Sequence, residues 1–282
     1  MLTVLEIIKR STEFLAKHGV ESARLNAEHL VGHALGLKRM QLYLQFERPL
    51  AEAELAKIRP LVKRRSEREP LQYLIGSTEF AGVTLKVDRR ALIPRPETEL
   101  VVEFAAALAV PPPETVLDLG TGSGALALAL VKQFPAARVT AVDKSPDALA
   151  LARENAAALG FAERVEFVES DWFSALVADR KFGLIVANPP YLSDAELAET
   201  APEVRGFEPR TALTSGAVGT EDLGKIIRGA RERLAPGAWL ICETGIAQHA
   251  TLLGWLREAG YEAVESRKDL TGRDRFVLGR AP

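Results

Sequence analysis

Asn188-Pro189-Pro190-Tyr191 sets four residues with complementary chemistry side by side. Two successive prolines fix φ and carry no N–H, so the carbonyls around them are free to accept hydrogen bonds. Asn188 adds a side-chain carbonyl and Tyr191 an aromatic face. Such a set suits an NH2 group on a planar π-system, with its two N–H bonds given to two carbonyls and its plane held against Tyr191. A nitrogen of that kind is a poor nucleophile, because its lone pair is delocalised. Drawing both N–H bonds out of the plane pyramidalises it and turns the lone pair toward an electrophile held in line at roughly 3–3.5 Å. The same acceptors stabilise positive charge developing on nitrogen. A methyl group on a sulfonium is the matching electrophile. No general base is evident, and none is needed: the nitrogen becomes acidic after alkylation, and water can take its proton. The plain alternative is a proline-rich loop that follows a strand.

A second constellation lies upstream. Asp118-Leu119-Gly120-Thr121-Gly122-Ser123-Gly124 follows an apolar run and opens a helical pattern. Glycines there let backbone N–H groups approach a ligand without Cβ obstruction. Asp143 stands about 20 residues on, where an acid accepts from ribose hydroxyls. By themselves these residues are ambiguous. Gly120, Gly122 and Ala125 also satisfy the spacing of a nicotinamide-binding turn, and a glycine turn can be a tight turn and nothing more. The loop at 188–191 favours S-adenosylmethionine as the ligand.

The elements that must position these residues alternate between strand and helix from Thr115 onward. Strands are expected at 115–119, 138–142, 165–169, 182–187 and 239–243, and helices at 125–133, 146–159, 225–234 and 247–259. Alternation of this kind gives a parallel sheet with helices on both faces, its ligand sites at the carboxyl edge of the strands. Two final strands, 262–266 and 275–278, lie too close for a helical crossover and should pair antiparallel. Residues 1 to about 70 read as short amphipathic helices. Thr3 and Glu6 have capping-box spacing. Leu5, Ile8, Leu15, Leu25, Leu30 and Leu35 mark apolar faces, and Pro60 should kink the last helix or delay its start. Glu79–Val87 reads as a hairpin. Pro94-Arg95-Pro96-Glu97-Thr98-Glu99 begins extended and then suits the first turn of a helix running to about Val110. The fold class is therefore α/β: a seven-stranded Rossmann-like methyltransferase domain at 96–282, a β-hairpin linker at 76–95 and a small helical N-terminal domain at 1–75.

Composition sets outer limits. With 282 residues, 47% of them hydrophobic and 26% charged, the chain can bury a sizeable core. A net charge of −2 gives no broad grip on a phosphate backbone, so stable nucleic-acid binding is not expected. The one cysteine, Cys242, forms no internal disulfide and reads as packing within a strand. No segment approaches the roughly 20 apolar residues that span a bilayer, and a cytoplasmic monomer fits these features. His29 and His33 are four apart but have no third ligand, so no metal site is expected. Lys63-Arg64-Arg65 with Arg68 reads as a solvated helix end, with contact to a partner or ribosomal RNA as the alternative. Glu97 and Glu99 suit either a fold over the active site or a helix N-terminus.

On these motifs the sequence resembles the protein-(glutamine-N5) methyltransferases that modify class 1 peptide chain release factors. Pro70-Leu71-Gln72-Tyr73, Glu79-Phe80, Leu92 to Glu99, Asp118 to Gly124, Asp171-Trp172-Phe173, Asn188 to Tyr191, Asp269-Leu270 and Gly272 to Arg275 carry the match over nearly the whole chain. The resemblance implies methyl transfer from S-adenosylmethionine to the glutamine of a Gly-Gly-Gln tripeptide, leaving S-adenosylhomocysteine. It implies a cofactor site at Gly120, Thr121, Gly122, Ser123, Gly124 and Asp143, with Trp172 near the adenine, Asp171 beside it and Asn188 adjoining. It implies that Asn188, Pro189, Pro190 and Tyr191 hold the glutamine amide, and that the N-terminal helices grip the release factor. Two stretches depart from the family pattern, Gly216 to Glu221 and Thr244, and neither is expected to touch the site. A rival reading is an adenine-N6 methyltransferase acting on DNA or RNA, since adenine also presents NH2 on a π-system. A non-catalytic protein that binds S-adenosylmethionine and a partner is a third; the intact Asn188 speaks against it.

Overall fold

The computed structural model describes residues 2–282. The chain forms two compact units: one runs to Ser77 and adds Ala201–Phe207, and the other comprises Thr78–Thr200 and Glu208–Pro282.

The first unit holds α1 (Val4–Lys17), α2 (Ala23–Leu35), α3 (Arg39–Tyr43), α4 (Glu52–Ser66) and α5 (Leu71–Ile75). α1 starts where Thr3 and Glu6 close a capping box: Thr3 N–H donates to the Glu6 carboxylate at 2.8 Å, and Glu6 N–H donates to Thr3 Oγ1 at 3.3 Å. Val4, Ile8 and Leu15 pack with Leu30 and Val31 of α2 and Ile58 of α4. Leu25 does not share this core and is 40% exposed. Five residues turn a helix by roughly 140°, so Leu25 and Leu30 lie on different faces. Nor does Pro60 delay α4, which begins at Glu52 and runs through it; only the N–H that would have met the Ala56 carbonyl is missing.

Of the basic run, Lys63 and Arg64 are exposed as a solvated helix end requires, but Arg65 turns inward and Arg68, just past α4, is half-buried. Buried Arg65 donates through Nε to Asn26 Oδ1 and through Nη2 to Glu203 Oε1, both at 2.8 Å. Arg68 reaches the other Glu203 oxygen at 2.7 Å, and Arg64 pairs with Glu69 at 2.7 Å. Glu203 lies in a short helix contributed from far along the chain.

The second unit begins with the hairpin of β1 (Ser77–Phe80) and β2 (Val83–Lys86). Its two-residue turn places Ala81 and Gly82 at positive φ, as a tight hairpin requires. α6 (Glu99–Leu108) precedes β3 (Thr115–Leu119), α7 (Ala125–Gln133), β4 (Arg138–Asp143), α8 (Pro146–Ala158), β5 (Val165–Glu169) and β6 (Phe182–Ala187). α9 (Asp194–Glu199) and α10 (Pro202–Phe207) follow; neither is marked by an apolar pattern, and α10 is the segment that belongs to the first unit. The chain ends with α11 (Glu221–Arg233), β7 (Leu234–Glu243), α12 (His249–Glu258), β8 (Glu262–Lys268) and β9 (Asp274–Arg280). α11 starts four residues before its apolar pattern, at two acids suited to a first turn, and β7 starts five residues before the predicted strand.

The sheet order is β5-β4-β3-β6-β7-β9-β8, with β9 antiparallel to both neighbours and the other pairs parallel. Alternate residues feed two cores: Val116, Val139, Leu184 and Ile241 on one face, and Leu117, Ile185, Leu240 and buried Cys242 on the other. Leu119 and Ala187 are the last paired residues of β3 and β6. Gly120 and Asn188 therefore leave the sheet side by side, at its carboxyl edge, where the strand order reverses. Among the described residues, no helix is long and apolar enough to cross a membrane.

Glu203→Ala would leave buried Arg65 without its counter-charge. The first unit should lose about 3 kcal/mol, the cost of breaking a buried pair from one side. Urea unfolding followed by a probe within residues 2–77 checks this, and an unchanged midpoint would show the pair to be inert.

Candidate active site

A cavity of about 310 Å³ opens at that edge, within the second unit. Its walls come from the turn after β3, the ends of β4 and β5, and the loop after β6. Gly120, with φ at 73°, sits against the Trp172 ring, and a Cβ there would meet the ring at 3.4 Å. Only glycine allows this turn and this approach together. Asp143 clasps the turn from β4: its Oδ2 accepts the Gly122 N–H and its Oδ1 the Ser145 N–H, both at 2.9 Å. Ser123, Asp171 and Pro190 also face the cavity, as do Thr121 and Asn188. Pro189, Tyr191 and Gly124 are not part of its lining; Gly124 instead packs between Ala152 and Leu128.

Asp118 is completely buried, and only one of its oxygens is satisfied. Oδ2 accepts Thr121 Oγ1 at 2.6 Å and Ala127 N–H at 3.1 Å, while Oδ1 has no hydrogen-bond partner among the described residues. Burial pushes the carboxyl up to about 7, with the charge of Asp143 adding to the rise and the two donors opposing it. Trp172 is held at φ 52° by Ser170, whose hydroxyl donates to its carbonyl at 2.9 Å, and by Asp222, which accepts its indole N–H at 3.1 Å.

Asn188 is anchored by a polar network that sequence reading missed. Its Nδ2 donates to Thr98 Oγ1 at 3.1 Å, and the Thr98 hydroxyl donates to Glu243 Oε2 at 2.6 Å. Glu243 Oε1 accepts the Tyr191 hydroxyl at 3.0 Å and an Arg275 N–H at 3.1 Å. Arg275 also donates to the Tyr191 oxygen at 2.7 Å, with its guanidinium 4.9 Å from the centre of that ring. Burial raises the Glu243 carboxyl above its usual value, and Thr98, Arg275 and Tyr191 act against the rise. Burial and the neighbouring Glu243 charge push the Tyr191 phenol well up, so it stays protonated.

Between Glu97 and Glu99, it is Thr98 that reaches the cavity. Glu97 stands 3.7 Å from Arg273, and Glu99 opens α6. Arg95 donates to Glu208 at 2.6 Å, and the same buried carboxylate accepts the Ile93 N–H at 3.1 Å, which ties the loop after α10 to the segment before α6.

Of the two departing stretches, Gly216 to Glu221 reaches the loop at 188–191 and Thr244 does not. Gly219 lies so close to the Tyr191 carbonyl that a Cβ would come within 2.4 Å of it, and Gln248 donates to both the Tyr191 and Gly219 carbonyls at 2.7 and 3.1 Å. Thr244 shares a 2.9 Å hydrogen bond with buried His249, so its hydroxyl is matched within the fold. The signal that could have exposed the network was Glu243 itself: an acid closing an otherwise apolar strand, on the same sheet edge as Asn188.

Residues 6–76 match the family model described as PrmC N-terminal domain, and residues 98–204 match that of the methyltransferase small domain. The chain is 45% identical to the release factor glutamine methyltransferase of Geobacter sulfurreducens, covering 99% of this chain and 96% of that protein. It is 41% identical to the protein of the same description from Rhodopirellula baltica, covering 98% and 95%. A solved methyltransferase from Pyrococcus furiosus, 19% identical, shares the fold with a TM-score of 0.53 over 71% of this chain and 89% of that one.

The half-satisfied Asp118 should make stability depend on pH. Its folded value, about 7, lies above its unfolded one, so the contribution is complete below pH 4 and is lost as pH rises toward 7. The melting temperature of Asp118→Asn relative to the parent should climb between pH 5 and pH 8. A constant difference across that window would show that Asp118 does not titrate there.

Proposed function

The chain belongs to the release factor glutamine methyltransferase family, and from that premise we propose that it methylates the side-chain amide nitrogen of the glutamine in the Gly-Gly-Gln motif of class 1 release factors, using S-adenosylmethionine. The observation that carries this reading is the loop at 188–191, whose Asn188 amide is fixed beside a cavity with an unsatisfied acceptor.

The cavity suits the cofactor. Asp118 Oδ1 is a buried acceptor without a donor, and an amino-acid ammonium group supplies one. The turn from Gly120 to Ser123 would lie against the cofactor, its close approach allowed by glycine, with Asp143 at the ribose and Asp171 and Trp172 at the adenine. When bound, the cofactor supplies an electrophilic methyl on sulfonium.

The chain's own residues do the rest. The Asn188 side-chain carbonyl and the Pro189 backbone carbonyl accept the two N–H bonds of the glutamine amide, while Pro190 and Tyr191 flank its plane. These acceptors draw the nitrogen out of conjugation and stabilise its growing positive charge. The nitrogen then sheds one proton to water, so the chain needs no base. The N-terminal unit binds the release factor, and the protein works as a cytoplasmic monomer.

Transfer of tritiated methyl to release factor and to DNA, offered separately, tests the reading. Label should enter the release factor at its Gly-Gly-Gln glutamine. Label in DNA and none in release factor would favour adenine as the acceptor; cofactor binding with neither acceptor labelled would favour a binding protein. Asn188→Ala should lower kcat by roughly 10²- to 10³-fold, as loss of a charge-stabilising group does elsewhere. Its cofactor affinity should fall only modestly, and full turnover would remove Asn188 from the mechanism.

A further inference from the structure

We infer that Thr98 and Glu243 are positioning residues that set which end of the Asn188 amide faces the substrate, through a one-way chain of hydrogen bonds. This rests on the proposed amide-methylation reading and adds two residues to it.

The number of protons available sets the direction of each bond. An ionised carboxylate accepts and never donates. Burial opposes the charge on Glu243, but the Arg275 guanidinium 3.1 Å away favours it, and as a carboxylate it receives donors on both oxygens: the Tyr191 hydroxyl and Arg275 at Oε1, and the Thr98 hydroxyl at Oε2. Thr98 has a single hydroxyl proton, and the 2.6 Å bond to Glu243 uses it. Toward Asn188 that oxygen can therefore only accept. The one end of an asparagine amide that donates is its NH2, so Nδ2 turns to Thr98 and Oδ1 turns away. Both links are shielded from water: Glu243 is 0% exposed and Thr98 3% exposed.

The order of the chain matters more than its strength. An amide presents nearly the same shape either way round, so packing alone barely distinguishes the two orientations. Reversed, Asn188 would aim its own N–H bonds at the N–H bonds of the substrate amide, and the nitrogen would lose one of its two acceptors. Glu243 sits two hydrogen bonds away from Asn188 and does not line the cavity, yet its acceptor-only character fixes the polarity at Asn188. A glutamine there has the same shape and can offer Thr98 an N–H. Thr98 would then pass its proton to Asn188 Oδ1 and reverse the amide.

The test compares Thr98→Val, Thr98→Ala, Thr98→Ser and Glu243→Gln in the full chain. Steady-state methylation of release factor and calorimetric titration with S-adenosylhomocysteine are the readouts. In Thr98→Val and Glu243→Gln, kcat should fall roughly 10²-fold, while KM for release factor and cofactor affinity stay within about threefold, the pattern of an interaction used in the transition state. Thr98→Ser keeps the hydroxyl and should restore kcat to within about fivefold of the parent. Should Thr98→Val fold poorly, Thr98→Ala against Thr98→Ser makes the same comparison. Parental kcat in either Thr98→Val or Glu243→Gln, or a serine variant as slow as the valine or alanine one, overturns the inference. A second arm needs no substrate. The Asn188 side-chain NH2 resonances, assigned by their loss in Asn188→Ala, should exchange slowly with water in the parent and rapidly in Thr98→Val. Rapid exchange in the parent overturns the inference too. A parent that leaves release factor unlabelled sinks the functional reading, and the exchange arm still decides this one.

Discussion

A carboxylate taken out of water has to find donors for the lone pairs that water would have met. Glu243 meets that demand at the end of β7 with groups from three separate stretches: Thr98 from the turn before α6, Tyr191 from the loop after β6 and Arg275 from β9. The arrangement of the carboxyl edge follows from it. The turn carrying Thr98 must lie against the sheet, the loop carrying Asn188 and Tyr191 must fold back over it, and β9 must run antiparallel beside β7 to deliver Arg275. A buried ion pair of this kind adds little net stability compared with well-packed apolar residues. What it contributes is direction, because each hydrogen bond in the chain has one permitted sense.

A second buried carboxylate, at the end of β3, shows the complementary case. Asp118 has one oxygen satisfied and one without a hydrogen-bond partner among the described residues. Glu243 is complete in itself and holds its neighbours rigid. Asp118 keeps one oxygen without a donor, and burial raises its carboxyl to about 7. Two buried acids two strands apart thus differ in kind, one with donors on both oxygens and one with an acceptor left over.

Most of the scaffold could be read in advance because its signals are local. The apolar runs at 115–119 and 182–187 are too short for helices, the glycines at 120, 122 and 124 mark a turn, and the periodicity at 125–133 changes within one residue of it. Asn188 was legible for the same reason, since its meaning comes from its immediate neighbours. The groups that hold it were not, because Thr98 is 90 residues away and Glu243 lies 145 residues from Thr98. Nothing in a threonine between two glutamates announces a buried hydroxyl. Within the basic run at 63–68, inward-facing Arg65 is hidden in the same way: its counter-charge is 138 residues downstream, so composition alone suggests solvent. The loop at 216–221 carries no local sign of contact with the site, yet its Gly219 meets Tyr191 through its backbone, which side-chain identity does not report.

Residues 201–207 carry an implication for how the chain comes to be folded. The helical unit draws its last helix, α10, from a stretch that is synthesised after β3 to β6, and buried Arg65 has its counter-charge only when Glu203 is present. When only the first 77 residues have left the ribosome, Arg65 has no Glu203 to pair with. Completion of the helical unit waits until most of the central strands of the other unit have emerged, which couples the folding of the two along the time axis of synthesis. For the same reason, exchanging residues 1–77 between relatives transplants one half of an ion pair, and the exchange is conservative only when 201–207 travel with them.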